Sequence, residues 1–330
     1  MTHDPRPTVL AAEDFMIDSD TPGIQLFVRN KRPEGLARFT AERTLLYVHG
    51  STYPAETAFD LRVGGVSWME YIAARGYDVY LVDVRGYGRS TRPPEMDQPP
   101  EANSPIAPTE VAVADVGAAV RFILARRGIA KLNLLGWSWG TTLMGAFTVR
   151  NGALVNKLVL NAPQWLRTTP SLTDMGGPLG AYRTVSIEDA KARWLRDVPE
   201  DKAESVIPAG WFEAWADATF ATDPWGNAQT PRLLRAPNGT VQDSRAFWAA
   251  GRPFYDPADI TVPVLITHGD WDVDLPLDMA RTYYAKLTNA AYRRWVEIGE
   301  GTHTLLLEKN RMQLFEAVQA FLDEDFVPEG

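Results

Sequence analysis

The chain contains no cysteine. That excludes disulfides, thiolate nucleophiles, iron–sulfur clusters and thiolate-bound zinc, and it frees folding from any need for an oxidising compartment. Histidine is scarce, with four in 330 residues, so few imidazoles are on offer as a base. No block of Lys and Arg stands anywhere: 33 basic against 42 acidic side chains leave a net charge of −9. A chain of this sign repels polyanions, so nucleic acid is not an expected partner. Apolar runs such as LLYV and LNLL are far too short to cross a bilayer. The opening MTHDPRPTVLAAEDF lacks the basic-then-apolar pattern of an export signal. The expectation is a soluble cytoplasmic protein with no membrane partner and a small-molecule substrate.

With 45% hydrophobic and 23% charged residues, the composition is that of a globular protein with ample length for a core. Short aliphatic or β-branched runs alternate with longer helical patterns, which predicts an α/β fold with a mostly parallel eight-stranded sheet and helices on both faces. The strand-like runs are 15–19, 24–30, 44–50, 78–86, 131–137, 156–162, 262–269 and 293–299, the first two forming an antiparallel lead-in. Val113, Val116, Val120 and Ile123 mark one buried helical stripe over 109–127, and Met312, Phe315, Val318 and Leu322 another over 305–322. The Pro-rich stretch 90–108 reads as a surface loop. From 164 to 261 no strand-like run occurs, and so long a structureless loop is improbable inside a compact domain. This interval is expected to be a mostly helical cap inserted after the sixth main strand, with 1–163 and 262–330 as the core.

The chemistry-bearing segment is Leu134-Leu135-Gly136-Trp137-Ser138-Trp139-Gly140, an aliphatic strand running into Gly-x-Ser-x-Gly and then a helix-compatible stretch. The glycines let strand and helix approach closely and leave Ser138 on a strained turn with its hydroxyl above the sheet. A serine hydroxyl needs a neighbouring base whose ring is oriented by a carboxylate. His3 lies near the terminus, and His49 and His268 each end a strand before a glycine, where an imidazole supports the loop backbone. His303, in the loop GEGTHT between the last strand and the last helix, is the base by elimination. For the acid, Asp270, Asp272 and Asp274 follow a strand at alternate positions; Asp272 is the choice, the other two the reserve. No second histidine or glutamate stands at ligand spacing beside them, so no metal is expected, nor any cofactor. The oxyanion of acyl chemistry is assigned to the backbone N–H groups of Trp139 and Ser51, with Thr52 the alternative to Ser51. Trp137, Thr52, Trp271 and Trp165 are the candidate substrate-binding residues. Cap arginines, Arg167, Arg183 and Arg193 among them, are read as scattered solvated surface, although any could meet a substrate carboxylate.

In chain order stand His49-Gly50, Asp83-Val84-Arg85-Gly86-Tyr87-Gly88-Arg89-Ser90, the Gly136 to Gly140 turn, His268-Gly269-Asp270-Trp271-Asp272 with Pro276, and Gly301-Thr302-His303. This series resembles the α/β-hydrolase superfamily over nearly the whole chain apart from the cap. The resemblance implies that fold, a nucleophile elbow at Ser138 and Asp272 as the acid. The elbow is similar to those of proline iminopeptidases, esterases and carbon–carbon bond hydrolases. The peptidases carry a Gly-Gly-Pro-Gly type run after the first histidine, whereas here His49-Gly50-Ser51-Thr52-Tyr53-Pro54 stands in its place. The function expected is a carboxylesterase-like Ser-His-Asp hydrolase acting on a small, mostly apolar or aromatic ester. A C–C bond hydrolase or aminopeptidase of the same fold, and a non-catalytic ligand receptor, are the alternatives.

Overall fold

The computed structural model describes residues 8–326. His3 and the first residues of the segment examined for an export signal lie outside that span. Among the described residues ten strands occur in chain order: β1 (Leu10–Asp18), β2 (Gln25–Pro33), β3 (Thr44–Val48), β4 (Asp78–Val82), β5 (Leu132–Trp137), β6 (Val155–Asn161), β7 (Tyr182–Ser186), β8 (Leu233–Pro237), β9 (Val264–Gly269) and β10 (Arg293–Ile298). Eight of them form one sheet in the order β1-β2-β4-β3-β5-β6-β9-β10. β2 runs antiparallel to both its neighbours, and every other pairing is parallel. This is the mostly parallel eight-stranded sheet expected of the α/β-hydrolase fold. All residues of β3, β4 and β5 are buried, as two covered faces require, which is why these strands read as predominantly apolar runs.

The Thr109–Arg127 helix buries Val113, Val116, Val120 and Ile123 and stops at Gly128, whose φ of 64° places it in the left-handed region. The last helix begins later than its apolar pattern, at Arg311 and not near 305. Leu305–Leu307 form a separate 3-10 turn instead. The chain between the two turns inward at Glu308, a fully buried carboxylate bonded to Thr302 and Trp194. The Pro-rich stretch forms two 3-10 turns, Pro94–Asp97 and Pro100–Ala102. The Pro100 carbonyl accepts from the amide of Ala181, tying this loop to the inserted segment.

Residues 164–261 depart from the expectation in one respect: β7 and β8 pair antiparallel as a small sheet of their own. Each is five residues long and interrupted by a guanidinium, Arg183 or Arg235, which hides the apolar signal. Helices at Ile187–Trp194, Trp211–Phe220 and Gly239–Ala246 make up much of the rest. Trp194, Phe212, Trp215, Phe220 and Trp248 belong to the same hydrophobic cluster as the sheet's core. Trp215 sits edge-on against both Tyr53, with centroids 4.7 Å apart, and Trp194, at 5.2 Å.

Candidate active site

Ser138 joins β5 to the Trp139–Asn151 helix with φ 58° and ψ −123°. A non-glycine residue held there costs about 1–3 kcal/mol, so the surroundings must enforce it. They do so by close approach. A Cβ on Gly136 would lie 2.3 Å from the Gly140 carbonyl oxygen, and one on Gly140 would lie 2.6 Å from that of Val48. The Ser138 amide is held by the Asn161 carbonyl at 3.0 Å.

The loop after β10 brings His303 to this turn. Its Nε2 lies 2.9 Å from Ser138 Oγ and its Nδ1 2.8 Å from Asp272 Oδ2. These partners fix the tautomer: Nδ1–H donates to the carboxylate and Nε2 accepts from the hydroxyl. The Trp137 indole N–H donates to the His303 carbonyl at 3.0 Å and pins the loop. Asp272 is oriented in turn by the Leu275 amide, which donates to its second oxygen at 2.9 Å. Burial alone would lower the pKa of His303, but the carboxylates of Asp272 and Asp274 outweigh it and hold the ring above its ordinary value.

The other two described histidines serve the backbone. His49 is fully buried, and burial pushes it down to about 4. Its Nδ1–H donates to the Gly50 carbonyl at 2.6 Å while Nε2 accepts from the Val84 amide. His268 spans the carbonyls of Gly269 and Leu275, each 2.7 Å from a ring nitrogen, and so braces the loop that carries Asp272. Asp270 accepts from the Gly301 amide at 3.3 Å. Asp274 faces the site itself, with Oδ2 3.9 Å from His303 Nε2.

The amides of Trp139, Ser51 and Thr52 make no hydrogen bond among the described residues. The peptides after β3 are nonetheless fixed. His49 holds the Gly50 carbonyl, so the opposed N–H of Ser51 points away from it. Tyr87 Oη and Arg183 Nη2 donate to the Ser51 carbonyl at 2.9 and 2.8 Å and fix the Thr52 N–H in the same way.

Two small cavities meet at Ser138, of about 20 Å³ and about 10 Å³. Each has room for about one water molecule. Tyr53, Trp137, Ala190 and Trp194 line the first, together with Arg193, Asp274 and His303. Ser51, Trp139 and Ser138 line the second together with Gln164, Arg167 and Thr240. Of the candidate substrate-binding residues, Thr52 and Trp137 line the first cavity, whereas Trp271 and Trp165 line neither. Trp271 is half-buried against the core and lines neither cavity, because its neighbour Asp272 takes the inward position. Trp165 packs edge-on against Tyr283, with centroids 5.2 Å apart, and serves the core.

Sequence reasoning left Arg167, Arg183 and Arg193 at the surface; the structure brings all three to the site. Arg193 Nε and Nη2 bind Asp274 Oδ2 at 2.7 and 2.5 Å. Burial opposes ionisation of both partners, yet their pairing raises the arginine and lowers the acid. Arg183 has only neutral oxygens for partners, and burial lowers it to about 10. One signal was legible: Ala190, Arg193 and Trp194 share a helical face at three- and four-residue spacing, so Arg193 stands on the buried stripe.

Comparison with known proteins agrees with this architecture. A family model described as alpha/beta hydrolase fold matches residues 44–184. The mouse protein ABHD8 is 25% identical over 295 residues, covering 87% of this chain; the match takes in only 60% of the relative's length. Among solved structures, CarC, a serine hydrolase involved in carbazole degradation, is 17% identical with a TM-score of 0.62, covering 94% of this chain and 99% of its own. A meta-cleavage product hydrolase of Pseudomonas fluorescens IP01 is 17% identical with a TM-score of 0.58, covering 94% and 97%. An esterase of Thermogutta terrifontis is 17% identical with a TM-score of 0.57, covering 94% and 98%. From strand order, elbow geometry and these likenesses together, this chain is an α/β-hydrolase-fold protein.

Proposed function

We propose that the protein is a serine hydrolase that cleaves a small ester-type substrate through an acyl-enzyme. The observation that carries this reading is the unbroken hydrogen-bond chain from Ser138 Oγ through His303 to Asp272, at 2.9 and 2.8 Å. His303 takes the hydroxyl proton as Oγ attacks the carbonyl, and Asp272 stabilises the imidazolium that forms. The N–H groups of Trp139 and Ser51 receive the oxyanion; Ser51 lines one cavity together with Trp139 and Ser138, whereas Thr52 lines only the other, which favours Ser51 over Thr52. His303 then protonates the leaving group, activates water against the acyl-enzyme and returns the proton to Ser138. Residues 164–261 act as a cap over this site. Tyr53, Trp137 and Trp194 support an apolar or aromatic portion of the substrate beside the reacting carbonyl.

A second reading, hydrolysis of a carbon–carbon bond next to a ketone, draws support from the likeness to the meta-cleavage product hydrolase. A matched panel of aryl esters and vinylogous diketones separates the two by which class turns over faster. The Ser138→Ala variant tests the shared core of both. Its kcat is expected to fall by roughly 10³-fold or more, and undiminished turnover would overturn the proposal.

A further inference from the structure

Resting on the serine-hydrolase reading, we propose that the substrate carries a carboxylate close to the scissile bond, bound in the second cavity by Arg167 and Arg193.

Arg167 is 8% exposed. Its Nε is spent on the Thr169 carbonyl at 2.7 Å, and Nη2 reaches only the backbone carbonyl of Asp274, at 3.4 Å. It forms no ion pair among the described residues, because the side chain of Asp274 is taken by Arg193. A buried guanidinium without a counter-ion is costly, and an anionic ligand relieves that cost. The surrounding groups are donors as well. The Thr240 hydroxyl lines the same cavity, is buried and has no hydrogen-bond partner. The Tyr87 hydroxyl beside it turns to the Ser51 carbonyl. Gln164 accepts from Thr142 through its carbonyl oxygen, and its amide nitrogen makes no bond among the described residues.

Asp274 is the one acid side chain lining this cavity among the described residues; Arg193 pairs with its Oδ2 through a two-pronged contact, and its Oδ1 is buried without a partner. That leaves Arg167 as the uncompensated charge. Arg193 has a second aspect. It also lines a cavity of about 290 Å³ with Arg183, Asp189 and Arg196. A carboxylate that reaches Arg193 competes with Asp274 for its fork, a geometry suited to bidentate carboxylate binding. Because the second cavity also contains Ser138, the carboxylate and the reacting carbonyl belong to one short molecule, as in the half-ester of a short dicarboxylic acid.

The test compares mono-aryl glutarate with its methyl-capped diester, and a carboxyphenyl acetate with its methyl ester, so that the charge is placed on the acyl or the leaving side. Wild-type kcat/KM is expected to favour the acid of one pair by about tenfold or more. Arg167→Met is expected to bring that ratio to about one, and Arg167→Lys to restore part of it. In parallel, Ser138→Ala protein is titrated calorimetrically with monomethyl and dimethyl glutarate. Binding of the mono-acid alone, lost on adding Arg167→Met, supports the site without any turnover. Should the Arg167 variants fail to fold, the wild-type ratio and the Ser138→Ala titration still decide. Ser138-dependent hydrolysis with no preference for either acid, or a preference that Arg167→Met leaves intact, overturns the carboxylate site and spares the hydrolase reading. Mono-acid binding by a protein that hydrolyses no ester does the reverse.

Discussion

His303 stands between two carboxylates, Asp272 on Nδ1 at 2.8 Å and Asp274 across from Nε2 at 3.9 Å. As a base it must be neutral, so the rate rises as pH passes its pKa, and a ring held above its ordinary value places the acid limb of kcat/KM correspondingly high. Asp274→Asn removes one charge that favours the imidazolium and frees Arg193 to oppose it. The acid limb is therefore expected to move to lower pH, and a pH–rate profile that stays in place or moves upward would contradict the assignment. At this scale the sequence was informative wherever a residue type was rare: with four histidines, elimination leads to His303. It was uninformative for arginine. Arg167 and Arg183 become site residues only because chain distant in sequence closes over them, which no local pattern of charge encodes.

The loop that presents His303 is tied to the inserted segment through one acid. Glu308 accepts from the Thr302 amide at 3.0 Å, from the Thr302 hydroxyl, and from the Trp194 indole N–H at 2.7 Å. Trp194 ends the helix that also bears Arg193, so Glu308 couples that helix to the residue preceding His303. Burial raises its pKa to about 7, against the pull of these donors. With a folded value near 7 and an unfolded one near 4.5, folding takes up a proton in that window. Stability from this group is therefore lost as pH rises through it. Glu308→Gln abolishes that slope, so its melting temperature is expected to drop less than that of wild type between about pH 5.5 and about pH 8. Its overall stability falls by about 1–3 kcal/mol, because an amide cannot accept from all three donors. Equal slopes in thermal melts of the two proteins would contradict this account. The central strands were legible as elements because burial on both faces favours short, predominantly apolar runs. β7 and β8 were not, since each spends a position on a guanidinium that bonds to oxygens beyond its own strand.

Across the whole molecule, one hydrophobic cluster runs from the sheet into residues 164–261 through Tyr53, Trp215 and Trp194. The two cavities at Ser138 each have room for about one water molecule, so under the proposed function this layer is expected to shift when a substrate binds. The Arg193–Asp274 pair fastens the Ile187–Trp194 helix to the loop after β9. The fold class could be read because order along the chain and strand ends recur together. The polarity of the site could not, since it depends on how the inserted segment docks. The account stands on activation of Ser138 by His303 and Asp272, and labelling with a fluorophosphonate followed by peptide mapping probes it most directly. One modification per chain is predicted, on Ser138, greatly slowed in His303→Ala and absent in Ser138→Ala. No labelling of the wild-type protein, or labelling of a different residue, would contradict it.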